Sequence, residues 1–236
     1  MGGVIVAAVG GSLIQLDDAE MCEKWIQKLV EAIKHLNTLN FKVGIVIGGG
    51  LAARKSISAV KNIIDNNSIL DQIGISATRL NATLIQQAFM HSGIDVNESI
   101  PIDCQSAAEL MNVKSVVVMG GTIPGQTTDT VAVELSDLVG AERCIIATNV
   151  SYVFDKDPRK NTDAKAIENI TLEELGIISG IGKPLEAGAS KVVDPVAIGR
   201  AIDGNIPLCV VNGWELEQFI GAMSGGQFNG TNVTVN

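Results

Sequence analysis

The stretch VGIVIGGGLAARKSI, residues 43–57, joins an apolar run to three consecutive glycines and two adjacent cations. The apolar, β-branched run predicts a buried strand, and the residues after the glycines have the spacing of a helix. Glycines at such a junction leave the backbone amides uncovered, so that an anion can approach the positive end of the helix. Arg54, roughly one helical turn beyond the glycines, can add charge on the same side. The stretch therefore predicts a strand–turn–helix unit that receives an anionic ligand.

The same alternation of apolar runs and amphipathic segments continues along the chain. Strands that are apolar throughout and separated by helices predict a parallel sheet covered on both faces. The predicted strands are 4–9, 42–47, 115–119, 144–148 and 207–211. Seven helices are predicted. The first begins at Asp17/Asp18, the second carries Ile57, Val60 and Ile64, and the third runs from about Ile75 to His91 with Leu80, Leu84 and Ala88 on one face. The fourth spans Thr128–Leu138, the fifth follows the Thr171/Glu174 capping box, the sixth follows the Asp194-Pro195 pair, and the last begins at Trp214.

Three of the predicted strands end in adjacent glycines: Gly10-Gly11, Gly48-Gly49-Gly50 and Gly120-Gly121. Because the carboxyl ends of parallel strands lie on one edge of the sheet, these turns should line a single cleft. One glycine pair after a strand is usually only a tight turn, but three at successive strand ends favour a binding site for an anion. The spacing matches neither a P-loop nor a dinucleotide-binding fingerprint.

Composition narrows the possible functions. The 236 residues carry a net charge of −9 with no cluster of Lys and Arg, which disfavours a nucleic-acid binder. The longest apolar runs are far shorter than the roughly 20 residues that span a bilayer, and no signal peptide is recognisable at the start, so a cytoplasmic protein without a membrane partner is expected. The four cysteines are expected to be buried free thiols, and two isolated histidines do not suggest a metal site.

Seven segments appear in the order and spacing of the amino acid kinase superfamily, and the resemblance covers nearly the whole chain. Within the superfamily, the sequence resembles the archaeal type of uridylate (UMP) kinase. The segments are VGGSLI, GGGLAAR, LDQIGISATRLNA, MGGTIPGQTTDTVA, ATNVSYVFDKDPR, AGASKVVDP and NGTNV.

The resemblance implies an α/β fold, an αβα sandwich with a mainly parallel central sheet, formed by one domain over residues 1–236. About residues 1–140 would hold the phosphate acceptor, UMP, and about residues 141–236 would hold ATP, with transfer across the central cleft. The resemblance also implies a homohexamer built as a trimer of dimers. Mg²⁺ would accompany ATP and need few protein ligands, because it keeps much of its water, so no metal site formed by protein residues alone is expected.

The resemblance assigns site residues as well. Arg54 and Asp129 are the catalytic candidates, Arg54 as a charge on the phosphates and Asp129 as the organiser of nearby cations. The positions matched to ATP are Gly10, Gly11, Gly50, Arg54, Thr148, Phe154 and Asp157. The positions matched to UMP are Gly49, Asp71 and the loop Thr122, Ile123, Pro124, Gly125, Gln126, Thr127 and Thr128.

The chain departs from the family pattern at several positions. Ala8 stands where many members have Lys, Glu186 where a cation is usual, and Gly199 where a later helix has Lys. The family's NVDGVY reads NVSYVF, so that Ser151 and Tyr152 replace Asp and Gly. Phosphoryl transfer depends on positioning and charge neutralisation, and losing one preorganised donor typically costs about 10² to 10³ in rate. The sequence leaves open whether catalysis is strong or weak.

Two other functions fit the same pattern. A sibling kinase that phosphorylates a carboxylate or another small phosphate would share the fold but would explain Asp71 and the GQTTD segment less well. A non-catalytic nucleotide-binding storage or regulatory protein, similar to molybdenum storage proteins, would explain the missing lysines. Three roles also stay open. Arg79 can reach the acceptor site, or it can form a helix or subunit contact, and Lys156 can be solvated or can contact a phosphate. The 17–36 helix, with Met21 and Trp25, can belong to the core or to an interface.

Overall fold

The computed structural model describes residues 2–156, 160–181 and 192–235. The strands are β1 (Val4–Val9), β2 (Lys42–Ile47), β3 (Val116–Met119), β4 (Cys144–Thr148), β5 (Val153–Phe154), β6 (Ala166–Ile167), β7 (Asn169–Thr171), β8 (Leu208–Asn212) and β9 (Gly230–Thr234). The helices are α1 (Ala19–Thr38), α2 (Gly50–Val60), α3 (Asn67–His91), α4 (Cys104–Val113), α5 (Thr128–Leu138), α6 (Leu172–Ser179), α7 (Pro195–Asp203) and α8 (Leu216–Ser224), and a single 3₁₀ turn, Gly11–Leu13, follows β1.

Seven strands form the central sheet in the order β3-β2-β1-β4-β8-β9-β7. The five strands from β3 to β8 are parallel, β9 is antiparallel to β8, and β7 is parallel to β9. A separate antiparallel ribbon is formed by β5 and β6. The parallel centre and the five strands predicted for it are confirmed, with β3 and β8 each beginning one residue later than predicted.

Each face of the sheet is covered by helices. Along β1, Ile5, Ala7 and Val9 belong to a core with residues of α1, α3 and α8, whereas Val6 and Ala8 belong to a second core with residues of α4, α5, α6 and α7. Because successive side chains of a strand point to opposite faces, a strand that is apolar at every position must lie between two cores. The predicted αβα sandwich is confirmed, and all four cysteines are buried free thiols.

Helix α1 illustrates how the local sequence builds this arrangement. Asp18 caps the helix by accepting a hydrogen bond from the amide of Met21 at 3.0 Å. Trp25 is 4% exposed and lies in the core, whereas Met21 is 44% exposed. Of the two residues considered for an interface, Trp25 is therefore core. Among the described residues, no helix is long and apolar enough to cross a membrane.

The sequence analysis was wrong about the start of α3 and did not identify its buried face. The helix begins at Asn67, after the Asn66 cap, and not near Ile75. Leu80, which was placed on one face with Leu84 and Ala88, is 61% exposed. The buried face carries the apolar residues Ala82, Ile85 and Phe89, which belong to the core, and the polar residues Thr78, Asn81 and Gln86. Thr78 and Asn81 lie against the glycine turns, where short hydrogen-bonding side chains fit.

Five elements were missing from the sequence analysis, helix α4 and strands β5, β6, β7 and β9, and two further predicted helices have other bounds. Ile64, predicted to lie on one helix with Ile57 and Val60, lies beyond the end of α2 at Val60. Helix α4 lies in a segment where no helix was predicted, and the closing NGTNV segment forms β9, the antiparallel strand next to β8. The last helix begins at Leu216, after Trp214. β9 lies between β8 and the edge strand β7. Antiparallel strands towards one edge of a mainly parallel sheet are common in large sheets.

The first two glycine turns are in direct backbone contact. A Cβ atom added to Gly11 would lie 2.2 Å from the amide nitrogen of Gly50 and 2.5 Å from the carbonyl oxygen of Gly48. Gly50 has a φ of +52°, and a Cβ atom there would lie 1.9 Å from the carbonyl oxygen of Gly11. Side chains other than hydrogen cannot be accommodated at these positions without moving backbone.

We expect Gly11→Ala to lower the free energy of unfolding by about 3 kcal/mol, the upper end of overpacking costs, because the atoms in its way are backbone. Gly199→Ala is the matched control: it lies inside α7 with no heavy atom within 4 Å of the added Cβ. That change should stabilise the protein by about 0.5–1 kcal/mol through helix propensity. Urea unfolding of both variants measures the difference, and equal effects would contradict the packing argument.

Candidate active site

Two polar side chains of α3 hold the glycine turns together. The side-chain amide of Asn81, 1% exposed, donates hydrogen bonds to the carbonyl oxygens of Gly48 at 2.9 Å and Gly49 at 3.1 Å. Thr78 accepts a hydrogen bond from the amide of Gly121 at 2.7 Å. Buried polar groups are stable only when they are hydrogen-bonded, so these contacts fix the turns after β2 and β3 against one helix. The three turns lie at one edge of the sheet, as expected, but none of their glycines is among the residues that line the cleft there. That the turns line one cleft stays a prediction.

A cleft of about 300 Å³ opens at this edge. It lies between the turn after β1, the first turn of α2 and the segments that follow β4 and β8. Arg54 is exposed to this space, and none of the ion pairs formed among the described residues involves it. The lining residues are Ser12, Ile14, Gln15, Asp17, Leu51, Arg54, Asn149 and Trp214.

Trp25 stabilises the side of the cleft that is formed by the segments after β4 and β8. Its indole N–H donates to the carbonyl oxygen of Gly213 at 2.8 Å, and this bond is buried. The amide of Gly213 in turn donates to the carbonyl oxygen of Thr148 at 2.7 Å. The core residue Trp25 thereby positions both Trp214 and the end of β4, which carries a predicted ATP residue.

The predicted acceptor loop, residues 122–128, is braced against α3. The carboxylate of Asp71 accepts a hydrogen bond from the amide of Gly125 at 2.9 Å, and Gly125 has a φ of +83°. Arg79 donates to the carbonyl oxygens of Gly121 at 3.2 Å and Thr122 at 3.5 Å, and to that of Ile102 at 3.2 Å. Arg79 therefore holds the backbone at the start of this loop. Asp71 lies beside the loop with which the sequence analysis grouped it.

The N-termini of α5 and α7 meet through one carboxylate. Oδ2 of Asp194 accepts hydrogen bonds from the hydroxyls of Thr127 at 2.7 Å and Thr130 at 2.8 Å. The amide of Asp194 donates to Oδ2 of Asp129 at 3.4 Å. Burial raises the pKa of Asp129 to about 6, the hydrogen bond from Asp194 opposes this rise, and the negative charge of Asp194 adds to it. The two carboxyl groups form a small acidic site between the predicted acceptor half and the predicted ATP half.

Only some of the residues predicted to bind ATP lie in the described part of the chain. Thr148 lies at the end of β4 and Phe154 is half-buried in β5, whereas Asp157 and Glu186 fall outside the described residues. Gly10 donates its amide to the carbonyl oxygen of Ala147 at 2.8 Å, which joins the first turn to the neighbouring strand.

Two other cations near the predicted site, Lys156 and Arg200, form ion pairs. The ammonium of Lys156 lies 2.6 Å from a carboxylate oxygen of Asp163. Arg200, which follows Gly199 in α7, forms an ion pair with Glu134 of α5. Neither side chain is free to replace the lysines that the family pattern has elsewhere, so Arg54 is the cation that lines the cleft among the described residues.

Several residues of this site were not assigned by the sequence analysis. Thr78, Asn81 and Asp194 organise the turns, and Trp25, Ser12 and Asn149 shape the cleft. A signal existed for the first two, because polar residues recur within the apolar pattern of the SATRLNA segment. The role of Trp25 has no sequence signal, because the local sequence of a buried tryptophan does not show whether its indole N–H has a distant hydrogen-bond partner such as Gly213.

Comparison with known proteins identifies the relatives of this chain. The family model "Amino acid kinase family" matches residues 3–212. A uridylate kinase from Methanococcus maripaludis strain C5 is 38% identical over 231 residues, which cover 98% of this chain and 99% of the relative. A uridylate kinase from Methanocaldococcus jannaschii is 35% identical over 227 residues, covering 96% and 97%. The crystal structure of uridylate kinase from Archaeoglobus fulgidus superposes with a TM-score of 0.83 at 30% identity, covering 98% of this chain and 99% of that one.

The raised pKa of Asp129 predicts that the stability of the folded protein depends on pH. The folded protein holds this proton more tightly than the unfolded chain, whose ordinary value is 3.8. Stability should therefore fall as the pH rises from about 4 to above 6, by up to about 3 kcal/mol for a shift of this size. Asp129→Asn removes the cost, so the variant should gain stability relative to the parent at pH 7.5 but not at pH 3.5.

Urea unfolding of the nucleotide-free protein at both pH values measures this difference. Asp103→Asn is a control of opposite sign, because the hydrogen bond from the backbone amide of Ser106 to the cap carboxylate lowers the pKa of Asp103. Its carboxylate stabilises the folded state above the ordinary pKa and loses that effect in acid, so Asp103→Asn should destabilise more at pH 7.5 than at pH 3.5. An equal effect of Asp129→Asn at the two pH values would contradict burial of its charge.

Proposed function

Because the chain belongs to the amino acid kinase family, we propose that it is a uridylate kinase that transfers the γ-phosphoryl group of ATP to UMP. The observation that carries the proposal is the meeting of three glycine turns and Arg54 at one edge of the sheet. Near full-length relatives named uridylate kinase, several of them archaeal, support it. The reaction is expected to take place in the cytoplasm.

The proposed reaction needs no general base. An oxygen of the UMP phosphate, already ionised at neutral pH, attacks the γ-phosphorus of ATP in line. The bond from that phosphorus to the bridging oxygen of ADP breaks, and UDP and ADP leave. The protein has to position the two nucleotides and neutralise the charge that spreads over the transferred group. Amides of the glycine turns and the guanidinium of Arg54 are the groups suited to do so.

Mg²⁺ fits the acidic site at the start of α5. Asp129 and Asp194 supply carboxylate oxygens, the ligands that this hard cation prefers. Burial and the charge of Asp194 raise the pKa of Asp129, and a cation bound beside it would favour its ionised form. When bound with ATP, Mg²⁺ neutralises charge on the phosphates. With the nucleotides absent, the threonine hydroxyls already hold Asp194 in place.

Choice of the acceptor is assigned to the braced loop. Oδ2 of Asp71 binds the amide of Gly125, which leaves Oδ1 without a hydrogen bond among the described residues and able to accept one from a nucleoside. Arg79 fixes the start of the same loop through backbone carbonyls. A site whose polar groups are held in place discriminates strongly against a ligand that cannot satisfy them.

A non-catalytic nucleotide-binding protein is the second candidate. The observation that favours it is the shortage of cations: Ala8 and Gly199 lack them, and Lys156 and Arg200 are paired with carboxylates. Such a protein would bind UMP and ATP without turnover.

For assembly we infer a homohexamer, a trimer of dimers, as the family resemblance implies. The exposed apolar side chains of Ile69 and Leu80 on α3 are available for contacts between subunits. Light scattering of the purified protein measures the mass directly, and a monomer at micromolar concentration would exclude this assembly.

We expect UMP to be strongly preferred over CMP, AMP and GMP as phosphate acceptor, because the fixed groups around residues 122–128 and Asp71 select one nucleoside. A coupled assay of ADP release, run with each monophosphate and with a few carboxylate acceptors, measures the preference. Equal turnover of UMP and a purine monophosphate would contradict the proposed specificity. Binding of UMP and ATP by calorimetry without ADP release would favour the non-catalytic candidate.

We expect Arg54→Ala to lower kcat by about 10³-fold while weakening UMP binding much less, since the interaction strengthens as charge builds on the transferred group. Arg54→Lys should recover part of the rate, because an ammonium cannot reproduce the two-pronged geometry of a guanidinium. Lys156→Ala is the matched control, since its ammonium is bound to Asp163, and it should change kcat little. An Arg54→Ala enzyme within about threefold of the parent would assign the charge to another group.

A further inference from the structure

A second and larger cavity lies away from the catalytic cleft. It has a volume of about 670 Å³ and is formed by the residues after α8, by β9 and by the segments before β4, β5 and β7. None of its lining residues lines the catalytic cleft or is among the residues assigned to UMP or ATP. The volume lies within the range of sites for small molecules, roughly 300–1,000 Å³. The function proposed above leaves this cavity without a role.

Arg143 gives the cavity a positive charge at one end. The residue directly precedes β4 and is half-buried, and among the described residues no carboxylate forms an ion pair with it. Its guanidinium lies near the thiol of Cys209, and burial raises the pKa of that thiol, so the neighbour is uncharged at neutral pH. A half-buried guanidinium without a counter-charge is well suited to bind a phosphate through charge-assisted hydrogen bonds.

The opposite end of the cavity is polar and carries an acid. Glu168 lies directly before β7, and β7 is the third strand beyond β4 in the sheet order. At about 4.8 Å per strand, the main chains that carry Arg143 and Glu168 are separated by about 14 Å or more. No ion pair joins the two side chains among the described residues, and the separation of their main chains leaves room for a ligand between them. Side-chain amides, including those of Gln218 and Asn232, line the cavity between the two ends.

Two aromatic rings complete the lining. Tyr152, the single tyrosine of the chain, stands where the family resemblance has glycine, and its ring lines the cavity. Phe228 packs over the bare backbone of Gly230, where an added Cβ atom would lie 2.9 Å from the ring. Flat aromatic surfaces beside hydrogen-bonding groups are typical of sites that receive a sugar or a heterocyclic ring.

We propose that this cavity binds a phosphorylated, hydroxyl-bearing small molecule about as long as a mononucleotide. The phosphate lies at Arg143, the hydroxyl groups bond to the side-chain amides and to Glu168, and the flat part of the ligand lies against Tyr152 and Phe228. The site is separate from the catalytic cleft, so binding there does not depend on the proposed reaction. A sugar phosphate and a nucleoside monophosphate share this chemistry, and the experiment distinguishes them.

Calorimetric titration of the full chain with ribose 5-phosphate, with AMP and with inorganic phosphate tests the proposal. We expect saturable binding of ribose 5-phosphate, of AMP or of both, tighter than that of inorganic phosphate. Arg143→Gln should weaken it by about tenfold or more, the usual effect of losing a charge-assisted contact, and Arg143→Lys by less. Arg54→Gln is the matched control in the catalytic cleft and should leave this binding unchanged.

The outcomes separate the possible ligands. Tighter binding of AMP that is lost in Tyr152→Gly supports a nucleotide, whereas binding of ribose 5-phosphate alone supports a sugar phosphate. Arg143→Gln should keep the melting temperature and the ADP-release rate of the parent, which excludes misfolding as the cause of weaker binding. The proposal is overturned if no organic phosphate binds, if inorganic phosphate binds equally well, or if the binding depends on Arg54 and not on Arg143.

Discussion

The contact between the backbones of the first two glycine turns is the constraint on which the site depends. At Gly11 and Gly50 the two turns approach so closely that a single added carbon would overlap backbone atoms of the other turn. This approach brings the end of β1 and the start of α2 together, so that Ser12 and Arg54 line one cleft. The glycines thus act twice, because they permit the packing and they leave amides exposed where phosphate oxygens can approach.

Close backbone packing alone would leave buried carbonyl and amide groups without partners, and α3 supplies those partners. Asn81 satisfies two carbonyl oxygens of the second turn, and Thr78 satisfies an amide of the third. The same helix carries Asp71 and Arg79, which brace the loop after the third turn. A single helix therefore sets the positions of the second glycine turn and of the predicted acceptor loop relative to each other, and the proposed in-line transfer requires such fixed positions.

The sequence predicted the architecture well because buried parallel strands and glycine turns have strong local patterns. Strands β1, β2 and β4 and helix α5 have the predicted bounds. The buried face of α3 was not identified, because the periodicity of apolar residues groups Leu80 with Leu84 and Ala88, whereas Thr78 and Asn81 are buried against the glycine turns. The contacts of Trp25 with Gly213 and of Asp194 with Thr127 join residues far apart in sequence, and no local pattern encodes such pairs. The architecture could therefore be predicted from local segments, whereas the long-range hydrogen bonds that hold the site in place could not.

Charge explains why the departures from the family pattern need not abolish the chemistry. The chain lacks cations at Ala8 and Gly199, and the nearest substitute in α7, Arg200, is bound to Glu134. The same region holds Asp129, whose raised pKa shows that its negative charge is costly in the folded protein without nucleotides. A carboxylate that is costly alone becomes favourable once positive charge arrives with the substrate, since opposite charges in a buried site interact strongly. In the proposed function, a lysine would supply that charge permanently, whereas this chain would gain it when nucleotide and Mg²⁺ bind, with Arg54 as the positive charge already in the cleft.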